Sequence, residues 1–383
     1  IIESFSKKTK MRIFSWSGDI DTIMTPIDSI RYYKSILQAS MISMTPQTGE
    51  VKAWVGGINY KHFKYDMVKT GRRQIGSTFK PFVYATAIDQ MHMSPCDTLP
   101  NTPYTIPAGK YGLLEPWTPK NSGGKYGGLL TLKNALANSV NTVTARLIDR
   151  VGPRPVIELV AKMGVETKDM PEAPSIALGT PDVSLFEMVG AYSTFANEGV
   201  YVKPTLIQRI EDKNGTVLYQ NVPETKDVIS NETAYVTVSL MEGVTQSGSG
   251  QRLRHKWAGG ASVYKKVITG YPYGFENPIA GKTGTTQNNS DGWFMGMVPN
   301  LATGVWVGGE DRATHFGSTD YGQGATMALP VWALYMKKCY GDKDLNLSTE
   351  EFKKPDELSI TTDCDKWKDD NSDIEEIPDE FDF

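Results

Sequence analysis

One stretch of the chain carries the most structural information: Arg72-Arg73-Gln74-Ile75-Gly76-Ser77-Thr78-Phe79-Lys80-Pro81-Phe82-Val83-Tyr84. Ser77 and Lys80 are three residues apart at the start of an apolar run, so they can meet on one side of a helix. There the lysine amine could take the proton of the serine hydroxyl. This spacing predicts a nucleophile with its own base.

Pro81 indicates where the helix begins. Proline is tolerated only in the first turn of a helix, so a helix that contains Pro81 begins close to Ser77 and runs to about Gln90. The unpaired N–H groups at a helix start favour negative charge. Gly76 leaves room for a ligand backbone to approach. Spacing alone is weak evidence, because it recurs at Ser4/Lys7 and Ser262/Lys265 without such surroundings.

Composition limits the class of protein. The 383 residues allow one large domain with attachments or two domains. A hydrophobic fraction of 39% and a charged fraction of 22% are typical of a soluble globular protein. The net charge of -4, without a basic stripe interleaved with aromatic residues, gives no reason to expect a nucleic-acid partner. No stretch resembles a transmembrane span or a signal peptide, and the absence of an initiator Met suggests a fragment of a longer protein.

Cysteine and histidine residues are few. The three cysteines, Cys96, Cys339 and Cys364, are too scattered for a disulfide framework, and at least one is unpaired. They do not indicate a compartment. The four histidines share no metal-ligand spacing with each other or with cysteine. We therefore predict neither a metal site nor a cofactor.

Strand patterns occur at both ends of the central region. Residues 41–55 and 293–307 both read as β-hairpins, and helical patterns lie between them. A sheet assembled from both ends is mostly antiparallel, because hairpins supply its strands, and the domain is α/β. Residues 1–36 read as an interdomain linker or edge segment, residues 37–342 as the domain, and the acidic residues 343–383 as a disordered tail.

Two segments in the middle of the chain are unusual. Residues 131–151 have apolar positions at helical spacing, but Asn138, Ser139 and Asn141 are weak helix formers. A break there would let Ser139 and Asn141 face inward. The loop 94–128 is longer than ordinary connections, so it is either functional or an insertion. Its Trp117 either contacts a substrate or packs the loop down.

Three motifs occur in order: Ser77-x-x-Lys80, Ser139-x-Asn141 and Lys282-Thr283-Gly284. A second Lys-Thr-Gly at residues 69–71 precedes Ser77 and stands outside this order, so we interpret it as incidental. With its flanking sequences, the chain from about Met41 to Tyr340 resembles the transpeptidase domain of class A (bifunctional) penicillin-binding proteins. This resemblance implies a β-lactamase/DD-peptidase-like fold, in which helices flank a mostly antiparallel central sheet beside an all-helical subdomain. The flanking sequences are Thr48-Gly49-Glu50-Val51, Thr118-Pro119-Lys120-Asn121, residues 131–136, residues 191–197 and residues 280–286.

The resemblance also implies a reaction. Ser77 would attack the carbonyl of the penultimate D-Ala of a peptidoglycan stem peptide and release the terminal D-Ala. An amine of a neighbouring stem peptide would then accept the acyl group, and β-lactam antibiotics would acylate the same serine. Lys80 would be the base, Ser139 a proton relay and Asn141 an anchor for Lys80 and the substrate amide.

Residues of the third motif complete the implied site. Lys282 would supply positive charge, Thr283 and Thr285 would hold the substrate carboxylate, and Gly284 would permit its close approach. The backbone N–H groups of Ser77 and Thr285 would bind the oxyanion. Because a lysine with a pKa of about 10.4 is neutral about once in 2,500 molecules at pH 7, we predict a partly buried Lys80 close to Lys282.

Members of this class also carry an N-terminal membrane anchor and a glycosyltransferase domain, which the resemblance places outside this chain. The location implied is the outer face of the cytoplasmic membrane. A β-lactamase is the nearest alternative, but residues 155–179 show no convincing motif for its deacylating glutamate. A second alternative is a penicillin sensor or scaffold that is acylated without turnover.

Overall fold

The elements below come from a computed structural model that describes residues 5–254 and 271–364. The strands are β1 Thr9–Ile13, β2 Ile20–Met24, β3 Gln38–Met44, β4 Val51–Val55, β5 Arg72–Gln74, β6 Thr98–Pro100, β7 Leu129–Thr131, β8 Asp182–Ser184, β9 Val200–Val202, β10 Arg209–Glu211, β11 Val217–Gln220, β12 Thr225–Asp227, β13 Ala280–Thr285, β14 Asp291–Val298 and β15 Leu301–Gly308. The α-helices are α1 Pro26–Lys34, α2 Lys80–Met91, α3 Leu132–Ala137, α4 Asn141–Val151, α5 Pro153–Lys162, α6 Leu185–Ala196, α7 Asn231–Gln246, α8 Thr319–Gly322, α9 Gly324–Met327 and α10 Leu329–Gly341.

The central sheet has five antiparallel strands in the order β13-β14-β15-β3-β4. Strands from early and late parts of the chain meet where β15 pairs with β3. The predicted α/β fold, with a mostly antiparallel sheet assembled from both ends, is therefore confirmed.

Two glycines bring helices close to opposite faces of this sheet. A Cβ atom on Gly296 would lie 2.5 Å from the ring of Trp332 in α10. A Cβ on Gly304 would lie 2.5 Å from the side chain of Val189 in α6. Two separate hydrophobic cores result, one on each face, and a larger residue at either position would displace the side chains that pack there.

The helical part of the molecule is built on α2. Nine of its residues, from Lys80 to Ile88, are buried, and it packs against α4, α5 and α7. Small two-stranded pairs, such as β6 with β7 and β10 with β11, accompany these helices. Within the described ranges, no helix is both long and apolar enough to span a lipid bilayer.

The first segment of the chain is folded against the domain. Strands β1 and β2 form a hairpin, and α1 follows them. Asp19 accepts a hydrogen bond from Lys61, and its Oδ1 forms another with Nε2 of His62 at 2.7 Å. Lys34 of α1 forms a salt bridge with Glu310, with 2.9 Å between Nζ and Oε1. The division into a linker at residues 1–36 and a domain at residues 37–342 stays a prediction, and residues 1–4 lie outside the described part.

The prediction of a disordered tail from Lys343 onward is wrong for residues 343–364. Phe352 and Ile360 are 7% and 6% exposed, and both join the core that includes α2. Burying such a side chain stabilises a fold by about 1.5–3 kcal/mol. The average composition of the segment is acidic, so it does not reveal these two buried apolar side chains. A disulfide joins Cys96 to Cys364, and Cys339 is free and buried. Residues 365–383, the rest of the predicted tail, lie outside the described residues.

Candidate active site

Ser77 lies in a tight turn that leads into a helix. A 3₁₀ turn, Gly76–Phe79, runs directly into α2, which begins at Lys80 and has Pro81 in its first turn. Gly76 has a φ of +55°, and its N–H donates to the carbonyl of Gly179 at 2.9 Å. A Cβ at Gly76 would lie 2.7 Å from the carbonyl oxygen of Thr285, so only glycine fits here. The predicted helix start at Ser77 is confirmed.

Lys80 is fully buried behind Ser77, with no exposed surface. Its Nζ donates to the carbonyl of Ser139 at 2.6 Å and to Oδ1 of Asn141 at 2.6 Å, and it lies 3.2 Å from Oγ of Ser139. The carbonyl and the amide oxygen can only accept, so they use two N–H bonds of the amine. A neutral Lys80 would then keep one lone pair to accept a proton.

The orientation of the Asn141 amide follows from its two neighbours. Its Nδ2 donates to the carbonyl of Lys120 at 2.7 Å, which leaves Oδ1 facing the amine of Lys80. The reverse orientation would place two acceptors together at Lys120 and two donors together at Lys80.

The predicted break between helices is present, and it directs Ser139 inward. Helix α3 ends at Ala137 and α4 begins at Asn141. Ser139 has a left-handed φ of +56°; its N–H donates to the carbonyl of Leu136, and the N–H of Val140 donates to that of Ala135. This pair of bonds is a Schellman motif, whose left-handed position usually holds glycine. Serine is strained there, and strain of this kind is found at functional sites.

Lys282 approaches Ser139 from the opposite wall. It is fully buried in the edge strand β13, and its Nζ donates to Oγ of Ser139 at 3.0 Å. Ser139 Oγ therefore lies between the two lysine amines, 3.2 Å from one and 3.0 Å from the other. The structure brings the second and third motifs together at this oxygen.

Burial lowers the pKa of both lysines. The pKa of Lys80 falls well below its usual value because the amine is desolvated and because the like charge of Lys282 is close. Burial alone lowers the pKa of Lys282 to about 7. The predicted burial of Lys80 and its proximity to Lys282 are both confirmed. Because like charges disfavour each other at this distance, protonation of one lysine disfavours protonation of the other.

The remaining residues of the third motif line the same edge. Thr283 is 6% exposed, and its Oγ1 is 2.6 Å from Oγ of Ser249. Thr285 Oγ1 accepts from the N–H of Gly324 at 3.1 Å. Gly284 is tightly packed, because a Cβ there would lie 2.8 Å from the carbonyl oxygen of Ile75.

Trp117 is half-buried against the core that includes α2. Its backbone N–H and C=O both form hydrogen bonds with the backbone of Ile106. This contact favours the packing interpretation, and a role of Trp117 in substrate binding stays a prediction.

The second Lys-Thr-Gly, at residues 69–71, lies near the surface in a turn. Within the described residues, Ser77 Oγ makes no hydrogen bond, including to Lys80.

Sequence reasoning missed the partners Asn121 and Ser249. Asn121 Oδ1 accepts from the backbone N–H groups of Asn141 and Thr142, and Ser249 bonds both Thr283 and the carbonyl of Ala137. Both residues act across long sequence separations, which no local pattern encodes. The only available signal for Asn121 was its place in the Thr118-Pro119-Lys120-Asn121 segment.

The lowered pKa of Lys282 predicts a rise in stability with pH. Between about pH 7 and pH 10 the unfolded chain keeps the proton that the folded site releases, so the unfolding free energy increases with pH. One such lysine contributes up to about 1.4 kcal/mol per pH unit. We expect a smaller rise in Lys282→Met, measured by urea denaturation at pH 7 to 9. Lys69→Met, in the exposed copy of the motif, should keep the wild-type slope, and equal slopes in both variants would contradict the assignment.

Comparison with known proteins agrees with this geometry. The sequence model described as "Penicillin binding protein transpeptidase domain" matches residues 39–320, and the one described as "Penicillin-binding protein middle domain" matches residues 1–37. The chain belongs to the penicillin-binding protein transpeptidase family. The predicted resemblance to the transpeptidase domain of class A members is thereby confirmed.

Similar sequences and similar solved structures are both penicillin-binding proteins. Penicillin-binding protein 1A of Aquifex aeolicus is 36% identical over 82% of this chain and 40% of the relative. The same protein of Neisseria meningitidis serogroup A is 34% identical over 79% and 36%. Penicillin-binding protein 1A of Haemophilus influenzae superimposes with a TM-score of 0.70 at 26% identity, over 84% of this chain and 49% of that one. PonA1 of Mycobacterium tuberculosis, solved with penicillin V, gives 0.68 at 25% identity, over 86% and 83%. The chain thus spans about two fifths of the curated relatives' length.

Proposed function

We propose that this chain is a serine DD-transpeptidase that cross-links peptidoglycan stem peptides through an acyl-enzyme on Ser77. The observation that carries the proposal is the buried chain of polar atoms from Lys80 through Ser139 to Lys282, directly behind the turn that holds Ser77. Family membership supports the same chemistry.

Acylation begins with removal of the Ser77 proton. Neutral Lys80 accepts this proton while Ser77 Oγ attacks the carbonyl of the penultimate D-Ala. Lys80 then returns this proton through Ser139, whose Oγ is 3.2 Å away, to the leaving amine of the terminal D-Ala, and the Ser139 hydroxyl is restored. An amine of a second stem peptide then attacks the ester, restores the Ser77 hydroxyl and leaves a new amide cross-link.

The backbone around Ser77 supports an oxyanion site. The contact between Gly76 and Thr285 brings together the two segments that carry the N–H groups of Ser77 and Thr285. Two N–H donors aimed at one point stabilise the negative oxygen of a tetrahedral intermediate. Ser77 also lies at a helix start, where the dipole favours the same charge.

Binding of a substrate carboxylate would tune the two lysines. A carboxylate held by Thr283 and Thr285 lies near Lys282 and raises the pKa of that lysine above its value of about 7 in the free site. A protonated Lys282 then lowers the pKa of Lys80 further, so a larger fraction of Lys80 is neutral and free to accept a proton. The correct substrate thereby activates its own nucleophile.

The cellular setting follows from the same proposal. We place the chain at the outer face of the cytoplasmic membrane, attached to an anchor and a glycosyltransferase domain in the part of the protein beyond this chain. The disulfide between Cys96 and Cys364 supports this location, because the cytosol keeps thiols reduced. β-Lactam antibiotics would acylate Ser77 as substrate mimics, and no cofactor is required.

A turnover assay tests the function. The protein is mixed with a stem peptide ending in D-Ala-D-Ala and an amine acceptor, and the products are identified by mass spectrometry. We expect release of one D-Ala for each new amide bond, and no reaction with a matched peptide ending in L-Ala-L-Ala. Acylation by penicillin without any amide product would instead identify a sensor. Hydrolysis of the peptide alone would identify a carboxypeptidase, and turnover of penicillin alone would identify a β-lactamase.

A further inference from the structure

Helix α4 begins at Asn141, the residue that holds Lys80, but its first turn lacks a cap of its own. The preceding residue, Val140, has no side chain that can accept a hydrogen bond. The first N–H groups of any helix have no partner within the helix. Here the N–H groups of Asn141 and Thr142 donate to Oδ1 of Asn121, at 3.0 and 3.2 Å. The cap is therefore supplied by the long loop at residues 94–128.

The amide of Asn121 is itself held on its other side. Its Nδ2 donates to Oδ1 of Asn101 and to the carbonyl of Lys125, both at 2.8 Å. The hydroxyl of Thr142 donates to the same Oδ1 of Asn101 at 2.8 Å. Asn121 thus accepts two hydrogen bonds and donates two, which satisfies the amide and sets its orientation.

The residue next to Asn121 fixes the other end of Asn141. The carbonyl of Lys120 accepts from Nδ2 of Asn141 at 2.7 Å. Consecutive residues of the loop therefore bind both the backbone and the side chain of Asn141. With these two contacts made, Oδ1 of Asn141 points at the amine of Lys80, 2.6 Å away.

We propose that Asn121 is a positioning residue for acylation, which holds Asn141, and through it Lys80, in the arrangement needed to activate Ser77. This inference rests on the proposed function of Ser77 and Lys80. Asn121 acts on the reaction only through Asn141. On this proposal the loop at residues 94–128 is functional, which is one of the two interpretations that its length left open.

Replacing Asn121 with alanine should slow acylation. We expect the second-order rate of labelling by a fluorescent penicillin to fall about tenfold, since Asn141 loses its cap. Hydrogen exchange, followed by mass spectrometry, should become faster in the peptide covering residues 138–145. Ser230→Ala is the matched control, because it removes a side-chain cap from α7, a 16-residue helix in the same domain. It should lower the melting temperature without changing the labelling rate.

Asn121→Asp provides a test that does not depend on losing the cap. The carboxylate still accepts from the N–H groups of Asn141 and Thr142, and Asn101 can turn its amide to donate to it. Its second oxygen also faces the carbonyl of Lys125, so we expect some loss of stability with the cap retained. The new negative charge lies two hydrogen bonds from Lys80 and favours its protonated form. We expect the rise of the acylation rate with pH to move to higher pH.

The outcomes separate this inference from the proposed function. If the unsubstituted protein is not labelled by penicillin, the proposed function fails, and the role of Asn121 with it. If the unsubstituted protein is labelled and Asn121→Ala reacts at the same rate, or slows only as much as Ser230→Ala, positioning by Asn121 is wrong. Should the alanine variant not fold, an unchanged pH profile in Asn121→Asp overturns the inference on its own.

Discussion

Replacing Ser77 with alanine is expected to abolish covalent labelling by a fluorescent penicillin and to leave the melting temperature unchanged. The hydroxyl oxygen is the atom that would form the acyl bond, and neither Ser139 nor another nearby serine occupies the start of α2. Stability should not change, because Ser77 Oγ makes no hydrogen bond within the described part of the chain. Labelling is measured on denaturing gels after a fixed incubation.

The chain offers a matched control for this experiment. Ser262 precedes Lys265 by the same three residues. Ser262 lies outside the described residues, and Ser262→Ala should be labelled like the unsubstituted protein if the Ser-x-x-Lys spacing alone does not make a nucleophile. Persistent labelling of Ser77→Ala would disprove the assignment of the nucleophile, whatever the control shows.

Lys80→Met is expected to slow acylation by about 10² to 10⁴, the usual contribution of a general base. Methionine approximates the length and volume of lysine but cannot accept a proton. The effect should be large because Lys80 is fully buried, so water cannot easily replace it beside Ser77. Labelling rates at several penicillin concentrations give the second-order constant.

The pH dependence distinguishes loss of a base from general damage. In the unsubstituted protein the acylation rate should increase as Lys80 loses its proton, at a pH well below the usual pKa of lysine. This increase should be absent from Lys80→Met and retained in Lys69→Met, which alters an exposed lysine. A rate for Lys80→Met within threefold of the unsubstituted protein would exclude Lys80 as the base.

Local stereochemistry explains which parts of the site could be predicted. Pro81 restricts the helix start, and Asn138 with Ser139 disfavours helix, so the placement of Ser77 and the break before Asn141 both follow from short stretches. The sheet was also predictable, because hairpins carry their own turn signals. These features depend on residues that are close in sequence.

Long-range partners could not be predicted in the same way. Ser249 meets Thr283 across 34 residues, and Asn121 meets Asn141 across 20. Residues 343–364 end at Cys364, which is bonded to Cys96, 268 positions away. Composition shows that this segment is acidic. It does not show the core contacts of Phe352 and Ile360 or the disulfide bond of Cys364.

The bond between Cys96 and Cys364 also has a topological consequence. It closes a covalent ring that contains Ser139, Asn141 and Lys282, whereas Ser77 and Lys80 lie on the chain before it. A protease that cuts once at any position inside the ring would leave a single molecule. Ser77 and Lys80 would therefore stay covalently linked to Ser139, Asn141 and Lys282 after a single cut.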